Sequence, residues 1–206
     1  GDATGNETAD TGGDPNNEYV QQALELGIIT PDQDLGSYRA QYLGNLNGKI
    51  LRIDSETGDG LPSNPFYDAE APRSPQSRVW IRGLRNPYRI VLEPETGSHY
   101  AAEGDPGTLL IGDVGNGAWE ELNRAETGGL NFGWPLIEGI NLMWAFWSKE
   151  VPENPMAPNP LYGQGCDQAF FTFKQLMVRT EQGRPALPPN PCNPNEPINA
   201  EAFPSQ

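Results

Sequence analysis

Asp113, Glu120 and Glu121 flank a short Gly-rich segment, Gly115-Asn116-Gly117, and so combine carboxylates with backbone that bends easily. Calcium takes roughly six to eight oxygen ligands, drawn from carboxylates and from carbonyls that such a turn can aim inward. The segment therefore holds the ingredients of a hard-cation site. If Glu120 and Glu121 lie on a strand, they point to opposite faces. One would then face an ion, and the other a second ion, a hydrogen bond or solvent. Upstream, Arg85-Asn86-Pro87 offers a guanidinium fork, which suits a planar carboxylate-bearing anion better than an ammonium does. Pro87 also disfavours helical backbone at Asn86. On residue types alone, Arg85 and Asn86 read first as groups that satisfy a buried turn. The single histidine, His99, follows Gly97-Ser98 and reads as an exposed loop residue rather than a catalyst.

The elements that would position these groups are short. From Gly48 onward the apolar residues alternate with period two over Lys49 to Asp54, Arg78 to Arg82, Tyr88 to Leu92, Thr108 to Gly112 and Glu120 to Ala125. Glu93-Pro94-Glu95-Thr96-Gly97 supplies a turn between two of these strands. The connection from Ser55 to Ser77, rich in Pro and Gly, is expected to run over the surface. Helix is expected only over Glu18 to Leu26, with Asn17 as N-cap and Gly27 ending it, as an elaboration on a β scaffold. Residues 1–17 read as loop. Beyond residue 139 the character changes to clustered aromatics and then a Pro-rich tail, which reads either as a lid or docking surface or as a loop packed by its own aromatics.

Composition narrows the class. With 36% hydrophobic residues, 24 Gly and 21 Pro in 206 residues, the chain is dominated by turns and favours an all-β fold. A net charge of -15 disfavours nucleic acid and anionic lipid as partners. The longest apolar cluster, Leu142 to Trp147, is too short for a membrane span. Cys166 and Cys192 lack metal-type spacing and read as one disulfide in an oxidising compartment or as two free thiols. Asn6-Glu7-Thr8 matches a glycosylation triplet, a pattern that arises easily by chance.

Gly83-Leu84-Arg85-Asn86-Pro87, then Gly112-Asp113-Val114-Gly115-Asn116-Gly117-Ala118-Trp119-Glu120-Glu121-Leu122-Asn123, then Gly128-Gly129-Leu130-Asn131-Phe132-Gly133-Trp134 occur in that order, after Gly48-Lys49-Ile50-Leu51-Arg52-Ile53-Asp54. Together they resemble the soluble sugar (glucose/sorbosone) dehydrogenases that use pyrroloquinoline quinone, including their hedgehog-interacting-protein-like branch. The resemblance covers residues 1–139 and implies part of a six-bladed β-propeller, here about one and a half to two blades with loop-rich insertions and one short helix. Residues 140–206 would be an insertion or extension. Too few strands are present to close a ring, and an open ring exposes strand edges. The expectation is therefore that the remaining blades belong to the same, longer polypeptide.

The resemblance also implies roles. Gly115 and Asn116 would give backbone carbonyls to the calcium that holds the quinone, with Glu120 and Glu121 as the aligned acidic pair. Arg85 and Asn86 would contact the quinone. Asp2 would orient a catalytic histidine expected upstream of Gly1, and Glu7 falls near another polar position of the family's site. The sequence departs from the dehydrogenases at Asp113-Val114, where they carry Glu with His or Gln, and Val114 cannot hydrogen-bond a quinone.

The activity implied is oxidation of a sugar or polyol with hydride transfer to the calcium-bound quinone, in a secreted or periplasmic protein that passes electrons to a protein or quinone acceptor. The alternatives are a non-catalytic calcium-stabilised propeller that serves binding, and a rigid structural part of an extracellular assembly.

Overall fold

The computed structural model describes residues 10–117, 119–177, 180–181, 184–185 and 189–197. Asp2 and the Asn6-Glu7-Thr8 triplet lie outside the described residues. Helix α1 spans Glu18–Glu25 and begins where the Asn17 side chain accepts the Val20 N–H at 3.3 Å. It ends in a Schellman motif, in which the Ile28 N–H donates to the Ala23 carbonyl at 2.8 Å and Gly27 donates to Leu24 at 3.1 Å. Gly27 takes φ 66°, the left-handed turn this closure needs. None of the helix residues is buried, so α1 stands outside the core.

Strand β1 (Ile50–Leu51) pairs antiparallel with β2 (Val79–Ile81), which follows the single-turn helix α2 (Pro75–Arg78). The connection between them keeps most of its residues at least partly exposed but is anchored inward at Asn64, Phe66 and Ser77, which are buried. Burying a loop requires partners for its backbone polar groups, and two side chains supply them. Asn64 donates to the carbonyls of Arg52 and Ser77 at 2.7 and 2.9 Å, while the Ser77 hydroxyl bonds Ala71 O and accepts the Asp68 N–H, both at 2.9 Å.

The central feature is a three-stranded antiparallel sheet of β3 (Pro87–Leu92), β4 (Leu109–Asp113) and β5 (Glu121–Ala125), in that order. Ile111 pairs with both Ile90 and Asn123, and Leu109 pairs with Leu92 and Ala125, so these residues share one face. On that face Leu109, Ile111 and Ala125 pack with Trp80, Ile81 and Leu84 into one core cluster, whereas Ile90 and Leu92 at the β3 edge are exposed. On the opposite face Val91 and Leu122 are exposed, Leu122 by 75%. The Glu93-to-Gly97 turn opens a longer arm that closes where Glu93 N–H meets Thr108 O at 2.8 Å, and His99 lies exposed on this arm.

Short pairs complete the chain: β6 (Ile137–Glu138) with β7 (Asn141–Leu142), then helix α3 (Trp144–Trp147), then β8 (Glu153–Pro158) with β9 (Phe170–Thr172). Two further pairs follow, β10 (Thr180–Glu181) with β11 (Arg184–Pro185) and β12 (Pro189–Asn190) with β13 (Asn193–Pro197). The regular structure of the described chain is thus mostly strand, in small antiparallel sheets without a closed ring. No helix among the described residues is long and apolar enough to cross a membrane. Cys166 and Cys192 form a disulfide, with Cα atoms 5.5 Å apart.

The second core cluster joins Leu35, Tyr38, Tyr42, Trp134, Leu136, Phe146 and Phe173. Of the aromatics beyond residue 139, Phe146, Trp147 and Phe173 therefore pack with the 35–42 segment and Trp134, whereas Phe171 joins a separate small cluster and Trp144 is exposed. Tyr38 is fully buried, stacked on Phe173 at 5.5 Å and edge-on to Phe146 at 6.1 Å. Its hydroxyl has no hydrogen-bond partner among the described residues. An unsatisfied buried hydroxyl costs about 1–3 kcal/mol. Tyr38→Phe is accordingly expected to raise stability by about 1 kcal/mol in urea denaturation, and a loss of similar size would reveal a partner for that hydroxyl.

Candidate functional site

The site begins at the C-terminal end of β4. Pairing of Asp113 with Pro87 on one side and Glu121 on the other puts three separate segments side by side. Pro87 has no N–H, so the last amides before β3 belong to Arg85 and Asn86. Both donate to Asp113: Arg85 N–H to Oδ2 at 2.9 Å and Asn86 N–H to Oδ1 at 2.6 Å. Val114 N–H returns a bond to Asn86 O at 3.1 Å. Asp113 is only 2% exposed. Its carboxylate thus clamps the Arg85–Asn86 turn, a use more specific than the general acidity read from the sequence.

The Arg85 side chain lies over the following loop. Nη1 donates to Val114 O at 2.9 Å, Nη2 to Asn116 Oδ1 at 3.2 Å, and Cζ sits 5.5 Å from the Trp134 ring. Cation–π contact and two hydrogen bonds hold the guanidinium in one place. Nε is buried without a hydrogen-bond partner among the described residues.

Gly115 and Asn116 form the tightest part of the loop. A Cβ at Gly115 would fall 1.6 Å from Trp119 O and 2.4 Å from Glu138 Oε1, so no larger residue fits there without moving backbone. The Asn116 N–H donates to Glu138 Oε1. Glu138, on β6, is 1% exposed, and its Oε2 has no hydrogen-bond partner among the described residues. The neighbouring Gly139 N–H donates to Glu121 Oε1 at 2.6 Å. Burial raises the Glu121 carboxyl above its usual range. The Gly139 N–H opposes that shift, while the charges of Asp113 and Glu138 add to it.

The structure therefore brings Arg85, Asn86, Gly115, Asn116 and Glu121 into one place. Glu120 is exposed, beside Trp119 on an open cleft of about 480 Å³ lined by residues 119–123, Gly139 and Ile140. Glu120 and Glu121 lie apart: Glu121 begins β5 and accepts from the β6–β7 hairpin, whereas Glu120 precedes the strand and is exposed. Glu138 is the residue the sequence reading missed. The signal available was a lone carboxylate in an otherwise apolar run, Pro135-Leu136-Ile137-Glu138-Gly139-Ile140, followed by the glycine of a tight hairpin.

Among the described residues, no three carboxylate, imidazole or thiolate groups converge to hold a metal ion. The donors gathered here are hard oxygens of another mix, two carboxylates (Glu121, Glu138) beside a loop whose carbonyls pack closely at Gly115. With a buried carboxylate oxygen left over, this donor set fits calcium as a mixed carboxylate and carbonyl site. Toward an anionic quinone, Arg85 offers charge, its terminal nitrogens being turned to the loop.

The family model described as Glucose / Sorbosone dehydrogenase matches residues 23–164, which takes in the whole of this site and runs past residue 139. The HIPL2 protein of Arabidopsis thaliana is 33% identical over 118 residues, a match covering 48% of this chain. The matched segment is 15% of that relative, so the chain corresponds to a small part of its length. No solved structure matches.

Proposed function

The chain belongs to the glucose/sorbosone dehydrogenase family, and on that premise we propose that it forms part of a propeller oxidoreductase that oxidises a sugar or polyol. In this reading the 113–121 loop takes calcium and Arg85 faces pyrroloquinoline quinone. The observation that carries it is the Asp113 clamp, because one buried carboxylate fastens the Arg85–Asn86 turn to the loop expected to hold the cation. When bound, calcium and the quinone supply a Lewis acid and a hydride acceptor. This chain's own residues bind and orient. Arg85 contributes a fixed positive charge among carboxylates, and Asn116 holds that charge against the loop through its side chain. Removal of the substrate's hydroxyl proton falls to a base other than His99, which sits on an exposed arm. The exposed face of β3–β5, on which Val91 and Leu122 sit beside Arg89 and Arg124, is assigned to contact with further blades of the same polypeptide. The disulfide supports a secreted or periplasmic setting.

A second reading, a calcium-stabilised binding module without turnover, is favoured by one observation. Val114 offers no side-chain hydrogen bond, and the Arg85 fork is engaged with Val114 O and Asn116 Oδ1. Titration of the full-length protein with quinone, with and without calcium, separates the two by quinone absorbance and by dye reduction with an aldose. Calcium-dependent quinone binding that weakens about tenfold or more in Arg85→Lys supports the enzyme. Calcium binding without quinone binding supports the module, and neither ligand binding sinks both.

A further inference from the structure

Glu138 is a nearly fully buried carboxylate that no motif singled out, and its two oxygens have different surroundings. Oε1 accepts the Asn116 N–H and lies against Gly115. Oε2 is equally buried and has no hydrogen-bond partner among the described residues. A buried carboxylate oxygen without a donor is costly unless a proton or a cation compensates it. On the next residue, the Gly139 N–H fixes the Glu121 carboxylate, so the β6–β7 hairpin presents Glu138 and anchors Glu121 at once.

We propose that Glu138 is a direct ligand of a hard divalent cation, its Oε2 closing with Glu121 a site whose other donors are backbone carbonyls among Gly115, Asn116 and Trp119. Calcium suits this set because it accepts carboxylate and carbonyl oxygens in flexible geometry, whereas magnesium demands a near-octahedral shell and keeps its waters. The hairpin then serves as the second jaw of the site. The cation would be held between β5 and β6, not by the adjacent acidic pair alone, and binding would brace the loop that Arg85 covers. The inference rests on the reading that the 113–121 loop takes calcium, and it adds the residue that completes the ligand set.

Terbium luminescence on the full-length protein tests it, with calcium as competitor. Trp119 is the natural antenna, because its ring lies against Gly139, 2.8 Å from where a Cβ there would be. The wild type is expected to show terbium emission that calcium displaces. Glu138→Gln, which retains an oxygen for the Asn116 N–H, is expected to weaken calcium by about tenfold or more. Glu150→Gln, an exposed site of the same charge change, controls for net charge. Wild-type emission with unchanged calcium affinity in Glu138→Gln overturns the role of Glu138 and leaves the calcium reading standing. Absence of calcium-displaceable emission in the wild type overturns both. Near-UV circular dichroism reports whether Glu138→Gln is folded. If it is not, Glu138→Asp decides: retained charge with a shorter reach is expected to weaken calcium several-fold, and wild-type affinity overturns the inference.

Discussion

Replacing Asp113 with alanine is expected to lower stability by about 2–4 kcal/mol. Two partly buried backbone amides, those of Arg85 and Asn86, donate to this carboxylate. Truncation leaves both without an acceptor in a place where Asp113 itself is almost wholly screened from water. Each orphaned donor costs about 1–3 kcal/mol. Asp113→Asn keeps one acceptor oxygen and turns an NH₂ group toward the other amide, so an intermediate loss is expected. Urea denaturation measures both, with the slope of the transition unchanged if the native fold persists. A loss in the alanine variant below about 1 kcal/mol would show that the turn and the loop hold together without the clamp. The same variant should release Arg85, because its backbone is fastened here while its fork reaches Val114 and Asn116.

Phe146→Ala is expected to cost about 3–5 kcal/mol, the range for emptying a large aromatic from a packed core. Phe146 is buried edge-on against Trp134 at 5.5 Å and against Tyr38 at 6.1 Å. It comes from the aromatic stretch beyond residue 139, whereas Tyr38 comes from a 3-10 turn near the start of the described chain. The side chain therefore ties together segments distant in sequence. Thermal or urea melts give the loss, and near-UV circular dichroism reports the aromatic packing. A cost below about 1 kcal/mol would mean that the stretch lies on the core without completing it. Trp134 also sits under the Arg85 guanidinium, so damage to this cluster should reach the candidate site. A double-mutant cycle of Phe146→Ala with Tyr38→Ala should be non-additive by about 0.5–3 kcal/mol, as expected for residues in contact.

How much of this was legible beforehand depends on the range over which each feature is encoded. The α1 helix was readable because its start and stop are local: Asn17 caps three residues ahead, and Gly27 supplies the left-handed turn. Strands β4 and β5 were readable because alternation reports a half-buried strand within five residues, whereas β3, with the same alternation in its sequence, is exposed on both faces. The family was readable because its motifs are contiguous runs. Pairing of Cys166 with Cys192 stayed open in the sequence, since only proximity in space decides it.

The sequence by itself thus determined the β-rich class, the family and the neighbourhood of the site. Tertiary structure decided which groups in that neighbourhood face each other. Asp113 meets amides 28 and 27 residues away, and Glu138 meets an amide 22 residues away. The connection from Ser55 to Ser77 keeps most of its residues at least partly exposed, as expected, but is pinned at Asn64 and Ser77, whose side chains satisfy the carbonyls of Arg52, Ser77 and Ala71. Glu120 and Glu121, adjacent and alike in sequence, part ways because only Glu121 finds a hairpin amide to receive. Such pairings depend on sheet register and loop closure, which no local pattern of residue types specifies.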